Sequence, residues 1–578
     1  MLNRLKPLTD YAVAVLLCLV ILTGVMKLWR ADFKVPFTYF GDALLYSIGT
    51  KGAIEQGWWF HNDRLGTPDI LHYEAYPAIE NFHFLFIKLI SLFTSDYAST
   101  LNLFYLLTFP LTTITSLYFL KYFKFSLGAA LFGSLLFTFL PYHFFRSYHL
   151  FLAAYYLIPL MVLVFLWVSS GVKLIRFDEN WRWPRFEKDF KSIFSIVICV
   201  IVGSCGLYYP FFSCFFLLIA AVIAYFRSKS ISAFVAPAIL IAIIFGTLVI
   251  NHLPLLIYQH RHGSSAMGQR SVFDAEIMGF KIAQLLLPIG GHRWGPLAAL
   301  RYRYNLGPLV NENDTSSLGV IGSIGFLILL GALFRRRSNW SLIDDLSLLN
   351  ISGVLLATIG GFGVLFALLI SPQIRAYNRI SIFIAFFSLV AITQVLDSGY
   401  KSLKQPGAKI GLLVIAGVML VVGVLDQTNK LFFFVPEYEK IKTEYKSDAD
   451  FVALIESSVP TQSMIFQLPY IPFPESPGFN KMMDHEPAKG YLHSKSLRWS
   501  YGAIAGERAD LWQRAISVEP PAQIVDDLTR AGFAGIYLNR AGYTDNGVAL
   551  ESELTALLGK PLVSRQQNVI FYSLLTKR

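Results

Sequence analysis

Eleven stretches of mostly apolar residues recur along the chain, near 11–29, 99–120, 126–141, 149–169, 192–208, 210–226, 232–256, 318–334, 346–370, 379–396 and 409–425. A helix needs about 20 apolar residues to cross the hydrocarbon of a bilayer. The pattern therefore predicts a polytopic α-helical membrane protein with about eleven transmembrane helices. A twelfth apolar stretch, 83–93, is short, and 126–141 is brief for a span, so the range is ten to twelve. Segment 41–59 alternates apolar and polar residues at a helical period, which predicts an amphipathic helix along the membrane interface. Beyond Asp426 the pattern changes. Short apolar runs at 463–468, 534–538 and 569–574 read as strands. Pro520-Pro521 opens a helix that Gly532 closes, and Gly559 stops a second over Val548–Leu558. The expected organisation is a transmembrane domain over 1–425 and a small soluble α/β domain over 426–578. Two long outer loops, 30–98 and 258–317, interrupt the membrane part, and 371–378 forms a short one.

Composition agrees with a bilayer as the main solvent. Of 578 residues, 54% are hydrophobic and only 15% charged, with a mean hydropathy of +0.51, where a soluble chain carries about a quarter charged. The net charge of +11 does not point to nucleic acid, because the basic residues cluster in loops that alternation places on one side. These are Arg4 and Lys6, Lys121 and Lys124, the segment 172–191 with six Lys/Arg against four acids, Arg227 and Lys229, Arg335 to Arg337, and Lys401, Lys404 and Lys409. The positive-inside rule makes that side cytoplasmic. An odd number of spans then puts the N-terminus inside and the C-terminal domain outside, in a bacterial inner membrane. The first apolar stretch lacks a small-residue cleavage site and reads as a retained helix. All four cysteines fall in apolar stretches, as packing residues rather than a disulfide framework.

Candidate chemistry gathers in the outer loops. Asp42 stands in Tyr39-Phe40-Gly41-Asp42-Ala43-Leu44-Leu45-Tyr46, and a carboxylate in such a setting near a span is costly without a role. It suits a general base whose basicity an apolar surround raises. The alternative is an N-cap for a helix starting at Ala43. Asp63, Glu74, Asp274 and Glu276 are secondary acids. Asp63, Glu74 and Glu80 also suit turns or pairing with Arg64. Arg261, Arg270, Lys281 and Arg293 in the second loop run against the charge rule, and Arg375 and Arg379 close a span at its outer end. Arginine forks grip phosphate oxygens, so these six cations suit the phosphate of a lipid donor; simple headgroup contact and snorkelling are the alternatives. Segment 280–288 reads as an interfacial helix holding Lys281 at headgroup level. In the tail, His493, Arg498, Trp499 and Tyr501 mix aromatic and polar side chains as sugar or acceptor contacts do, and as domain packing does. No histidine pair has metal-ligand spacing, and Gly-x-Ser-x-Gly, Walker and Cys-x-x-Cys motifs are absent.

The acid of Gly41-Asp42 in a long first outer loop, about eleven spans and an extracytoplasmic tail together resemble the GT-C superfamily of membrane glycosyltransferases. Protein mannosyltransferases, aminoarabinose transferases and oligosaccharyltransferases belong to it. The resemblance implies a polyprenyl-phosphate-linked sugar donor, a glycan, lipid or protein acceptor, and a role for Asp42 as base or metal-linked acid. Many members carry a second acid beside the first, where this chain has Ala43 and Leu44. Large bacterial membrane proteins of the YfhO type, linked to glycosylation of envelope polymers, also look similar. No cofactor is required on this reading. The rival classes are a non-enzymatic transporter of lipid-linked glycans and an envelope polysaccharide assembly factor. A transporter should carry charges along the middle of several spans, and the apolar stretches are nearly free of them.

Overall fold

The computed structural model of the chain describes residues 2–76, 80–176, 185–186, 189–262, 270–335 and 340–575. Pro77, Arg336, Arg337, Arg578 and half of the basic segment 172–191 lie outside the described residues, as do the side chains of Arg4 and Lys6. Each apolar stretch contains helix. Among the described residues, seven helical segments have the length and composition to cross a membrane: Leu8–Met26, Tyr97–Tyr122, Leu127–Phe145, Tyr208–Ser228, Ile231–His262, Tyr377–Ser402 and Pro406–Gln427. The protein is a multi-pass membrane protein.

The other four stretches give shorter helices. Ile158–Ser169, Phe190–Val202 and Gly319–Ala332 fall short of a full span, and 346–370 breaks into Leu342–Ala357 and Phe362–Leu369. At that break the backbone leaves the helix to pair with Phe280, whose N–H donates to Ala357 O and whose carbonyl accepts from Ile359 N. Composition is blind to this difference, because a helix buried among helices is as apolar as one facing lipid. Ile158–Ser169 is such a buried helix.

The tail carries a five-stranded sheet: β1 (Met464–Leu468), β2 (Arg498–Trp499), β3 (Phe533–Asn539), β4 (Leu562–Val563) and β5 (Val569–Ser573), in the order β2-β1-β3-β5-β4. β1 runs parallel to β2 and β3, while β5 is antiparallel to β3 and β4. The near-continuous apolar run of β3 fits a central strand covered on both faces. Ile524, Val525 and Leu528 of helix Pro521–Arg530 and Leu554 of helix Val548–Leu558 build the core on one side. The first outer loop covers the other, where Trp59, Leu65, Trp499 and Tyr537 share one apolar cluster. Residues 64–67 also run along β2: Trp499 N donates to Arg64 O at 2.8 Å and Thr67 N to Trp499 O at 3.2 Å. First loop and tail thus form one packed unit.

This packing changes the expected interfacial helix. Helix Asp42–Gln56 buries Leu44, Ile48 and Ala53 between the tail helix Ala488–His493 and helices Asn81–Ser91 and Tyr97–Tyr122. Lys51 reaches out of it to the carbonyls of Tyr491, Leu492 and Ser494 at 2.7–2.9 Å, and burial pulls its pKa down to about 8. Segment 280–288 also differs from its expected form. Only Ile282–Leu286 is helical, with Phe280 and Leu285 fully buried.

Candidate active site

Helix Asp42–Gln56 begins at the floor of a cavity of about 710 Å³. Gly41, at φ 55°, takes the cap position and Asp42 is the first helical residue. The positive φ is readily reached only without a Cβ. The carboxylate projects into the cavity, 35% exposed. Its Oδ2 lies 2.7 Å from His149 Nε2 and its Oδ1 3.5 Å from His485 Nε2. His149 follows the turn after Pro141–Phe145, and His485 comes from the tail, where its Nδ1 meets the Tyr501 hydroxyl at 2.8 Å. Burial works against the charged carboxyl, but hydrogen bonds from the two histidines outweigh it and hold Asp42 well below the usual carboxylate range. The raised basicity expected from an apolar surround is therefore reversed, because a sequence shows the aromatic neighbours but not the distant histidines. Burial pushes the pKa of His149 down although Asp42 pulls the other way.

A buried ionic cluster lies behind His149. Arg146 is fully buried and donates to Glu312 Oε2 at 2.7 Å, Asn378 Oδ1 at 2.9 Å and Thr315 Oγ1 at 3.2 Å. Its Nη1 also stands 3.5 Å from His149 Nδ1. Arg379 donates to Glu312 Oε2 at 3.3 Å, and its guanidinium lies 4.2 Å from the centre of the Tyr208 ring. Desolvation would raise the Glu312 pKa, but the charges of Arg146 and Arg379 hold it far below the usual range. Arg375 is looser, 4.0 Å from Asp274 and 35% exposed. Across the cavity Arg270 grips Glu475 with both Nη atoms, and the Tyr76 hydroxyl donates to the same carboxylate at 2.5 Å.

Of the acids and cations singled out in the sequence, Asp42, Glu80, Arg270, Arg375 and Arg379 line this cavity, and the others lie apart from its lining. Arg261 is exposed at the end of helix Val235–His262. Lys281 is bonded to the Pro308 carbonyl, and Arg293 donates to Thr428 O at 3.0 Å. Asp63 is exposed, Glu74 pairs with His72, Asp274 faces Arg375, and Glu276 lies beside Gly360. In the tail, Trp499 is completely buried and Arg498 holds the carbonyls of Asp63 and Asp69. His493, with its pKa pushed by burial down to about 3, meets the Tyr39 hydroxyl at 2.7 Å. Tyr501 is buried and acts on the site through His485. Arg64 pairs with Glu55 rather than with Asp63, Glu74 or Glu80. Glu80 instead faces the cavity, bonded to His83 at 2.9 Å.

Sequence reasoning missed His149, His485, Arg146 and Glu312. The first and third had a signal: Arg146 and His149 follow an apolar stretch directly, just as Arg375 and Arg379 precede one. A metal-linked role for Asp42 does not fit these residues. Arg146 has only N–H groups to offer and faces His149 Nδ1 at 3.5 Å, an arrangement that favours a proton rather than a lone pair on the Nε2 beside the carboxylate. Among the described residues no three His, Cys, Asp or Glu side chains form a metal-binding group.

No protein-family model matches the sequence, and no curated protein matches it. Solved structures do. Apo ArnT from Cupriavidus metallidurans has a TM-score of 0.53 at 11% identity, over 98% of this chain and 98% of that one. The Archaeoglobus fulgidus oligosaccharyltransferase scores 0.48 at 10% identity, over 92% of this chain and 69% of that one. Arabinofuranosyltransferase AftD from Mycobacteria scores 0.45 at 12% identity, over 92% of this chain but 35% of its own, so the chain spans about a third of AftD's length. The agreement with ArnT runs through both chains almost end to end, and it shows that this protein has the ArnT fold.

Proposed function

We propose that the protein is a membrane glycosyltransferase that moves a sugar from a polyprenyl-phosphate carrier to a hydroxyl of an envelope glycan, lipid or protein acceptor outside the cytoplasm. The observation that carries this reading is the Asp42 carboxylate, flanked by two histidines and facing the same cavity as Arg375 and Arg379 in a GT-C fold. The acceptor oxygen bonds to the anomeric carbon as the bond from that carbon to the phosphate oxygen breaks. The electron pair leaves with the polyprenyl phosphate, and the hydroxyl proton passes to Asp42. A carboxylate of low basicity suffices, since a hydroxyl that has begun to bond to carbon is strongly acidic. Arg375 is the cation best placed to balance the departing phosphate, because Arg379 and Arg270 already hold Glu312 and Glu475.

Cells lacking the gene are expected to accumulate a lipid-linked sugar that re-expression of the parent removes. An unchanged lipid-linked pool together with fully modified acceptors would overturn the reading. Arg375→Ala is expected to raise the apparent donor KM about ten-fold or more, from the loss of about 1.5–3 kcal/mol in a charge-assisted contact. An unaltered KM would leave Arg375 only a surface contact of Asp274. The topology proposed with this function puts the N-terminus in the cytoplasm of a bacterial inner membrane and the tail outside. A reporter active only outside the cytoplasm, fused after Arg578, should then be active; a cytoplasmic reporter lit at that position would reverse the orientation of the site.

A further inference from the structure

We propose that His149 is a positioning residue for Asp42, presenting a neutral Nε2–H to the carboxylate in a tautomer and orientation fixed by the buried Arg146–Glu312 pair. The proposal rests on the reading of Asp42 as the catalytic carboxylate. The geometry allows one assignment of protons. A guanidinium has donors and no acceptor, so the Arg146 Nη1 that stands 3.5 Å from His149 Nδ1 requires a lone pair there. The imidazole proton is then on Nε2, 2.7 Å from Asp42 Oδ2. An imidazolium would turn an N–H toward Arg146, with Arg379 adding a second positive charge nearby.

Arg146 cannot turn away to relieve such a clash. It is fully buried and held by Glu312, Asn378 and Thr315. Asn378 is fixed in turn, donating to Glu312 Oε1 at 3.0 Å and to the Met278 carbonyl at 2.8 Å. The series Glu312, Arg146, His149, Asp42 therefore runs from acceptor to donor to acceptor and donor to acceptor, with no alternative orientation. The titratable groups that face Asp42 from elsewhere include His485, Asp484 and Tyr501 of the tail, Tyr73 and Tyr148, and Tyr46 of its own helix. Those facing His149 include Arg146, Arg379 and Glu312 besides Asp42, with the Tyr148 ring 4.3 Å away. His485 stands farther off Oδ1, at 3.5 Å, which leaves that oxygen as the one able to meet an acceptor hydroxyl. The tautomer lock thus directs the base as well as keeping it ionised.

The full-length protein in detergent is assayed on membranes of cells lacking the gene, which supply donor and acceptor. His149→Ala is expected to lower kcat about 10-fold to 100-fold, the cost of a misdirected catalytic group, with donor KM changed less than about two-fold because the phosphate contacts are untouched. The flat acid side of the parent should give way to a visible acid limb in this variant, because the carboxyl loses one of the two histidines that hold it down. His149→Gln, whose amide N–H can reach the carboxylate, should restore most of both. A parent-like kcat and pH profile in His149→Ala overturns the proposal. So does a loss of kcat with an unmoved profile that Gln does not rescue, which marks a purely structural residue. Should His149→Ala not fold, ¹⁵N-histidine NMR of the parent decides, with the His149 signals identified by their loss in His149→Gln. The expected spectrum is the neutral Nε2–H tautomer at pH 7, and an Nδ1–H tautomer or an imidazolium overturns the proposal. Near-parental turnover in Asp42→Asn would instead bring down the underlying catalytic reading. An inactive Asp42→Asn beside an unaffected His149→Ala brings down the positioning role alone.

Discussion

Asp42→Asn is expected to lower turnover by about 10²–10⁴-fold, the usual contribution of a positioned base, while the protein still inserts and keeps its thermal stability. Asn is close to isosteric and can still accept the His149 N–H through its amide oxygen, so the substitution removes the proton acceptor without emptying the site. In the structure Gly41, not Asp42, occupies the cap position, which removes the main reason for the variant to fail by unfolding. The pH dependence sharpens the test. The folded carboxyl is held well below its ordinary range, so it stays charged as pH falls, and the parent should show a flat acid side until the protein itself unfolds. Near-normal turnover in the Asn variant would mean that Asp42 is not the base. The search would then pass to Glu80 and Asp484, which line the same cavity, ahead of Asp63, Glu74 or Asp274, which do not.

Removing Arg146 should have the largest effect on stability. Arg146→Ala leaves Glu312 with Arg379 and the Asn378 amide, and strips Asn378 Oδ1 and Thr315 Oγ1 of their arginine donor. Breaking a buried ion pair from one side costs about 3–5 kcal/mol. The expected outcome is a clearly lower temperature of half-aggregation in detergent and a reduced yield in the membrane. Arg379→Ala should share this loss in smaller measure, since Arg146 remains beside Glu312; its effect on the donor would be read against that background. The triple variant Arg146→Met/Glu312→Leu/Arg379→Met should recover much of the stability, because apolar replacement of all three members leaves no charge of the cluster unpaired. If Arg146→Ala melts with the parent, water reaches Glu312 and the cluster is not the dry network its burial describes.

Which parts of this molecule the sequence could reveal follows from the range of the forces involved. Local periodicity and turn chemistry placed β1, β3 and β5 and the helices Pro521–Arg530 and Val548–Leu558 within a residue or two, because each is decided by neighbours a few positions away. Hydropathy identified a multi-pass helical membrane protein for the same reason. The edge strands β2 and β4 are two residues each and exist only because a partner strand pairs with them. Whether an apolar helix meets lipid or protein was not legible, which is why the apolar stretch 149–169 gives a short helix, Ile158–Ser169, buried among other helices. Asp42 and the arginines at 375 and 379 could be singled out because charge beside an apolar stretch is costly wherever it ends up.

The site itself came from tertiary structure. His149 and His485 lie 107 and 443 positions from Asp42, and no local pattern links them to it. His485 reaches Asp42 because the first outer loop packs into the sheet of the tail, through residues 64–67 beside β2 and Lys51 on the carbonyls of 491, 492 and 494, and His149 reaches it where Phe151 packs on Tyr46 of the Asp42 helix. The same packing turned the expected interfacial helix into a buried one and reversed the expected shift of Asp42. The sequence by itself determined the solvent of each segment and the residues too costly to be idle; the fold decided which of them meet, because hydrogen bonds and charge pairs act over a few ångströms in space and not along the chain.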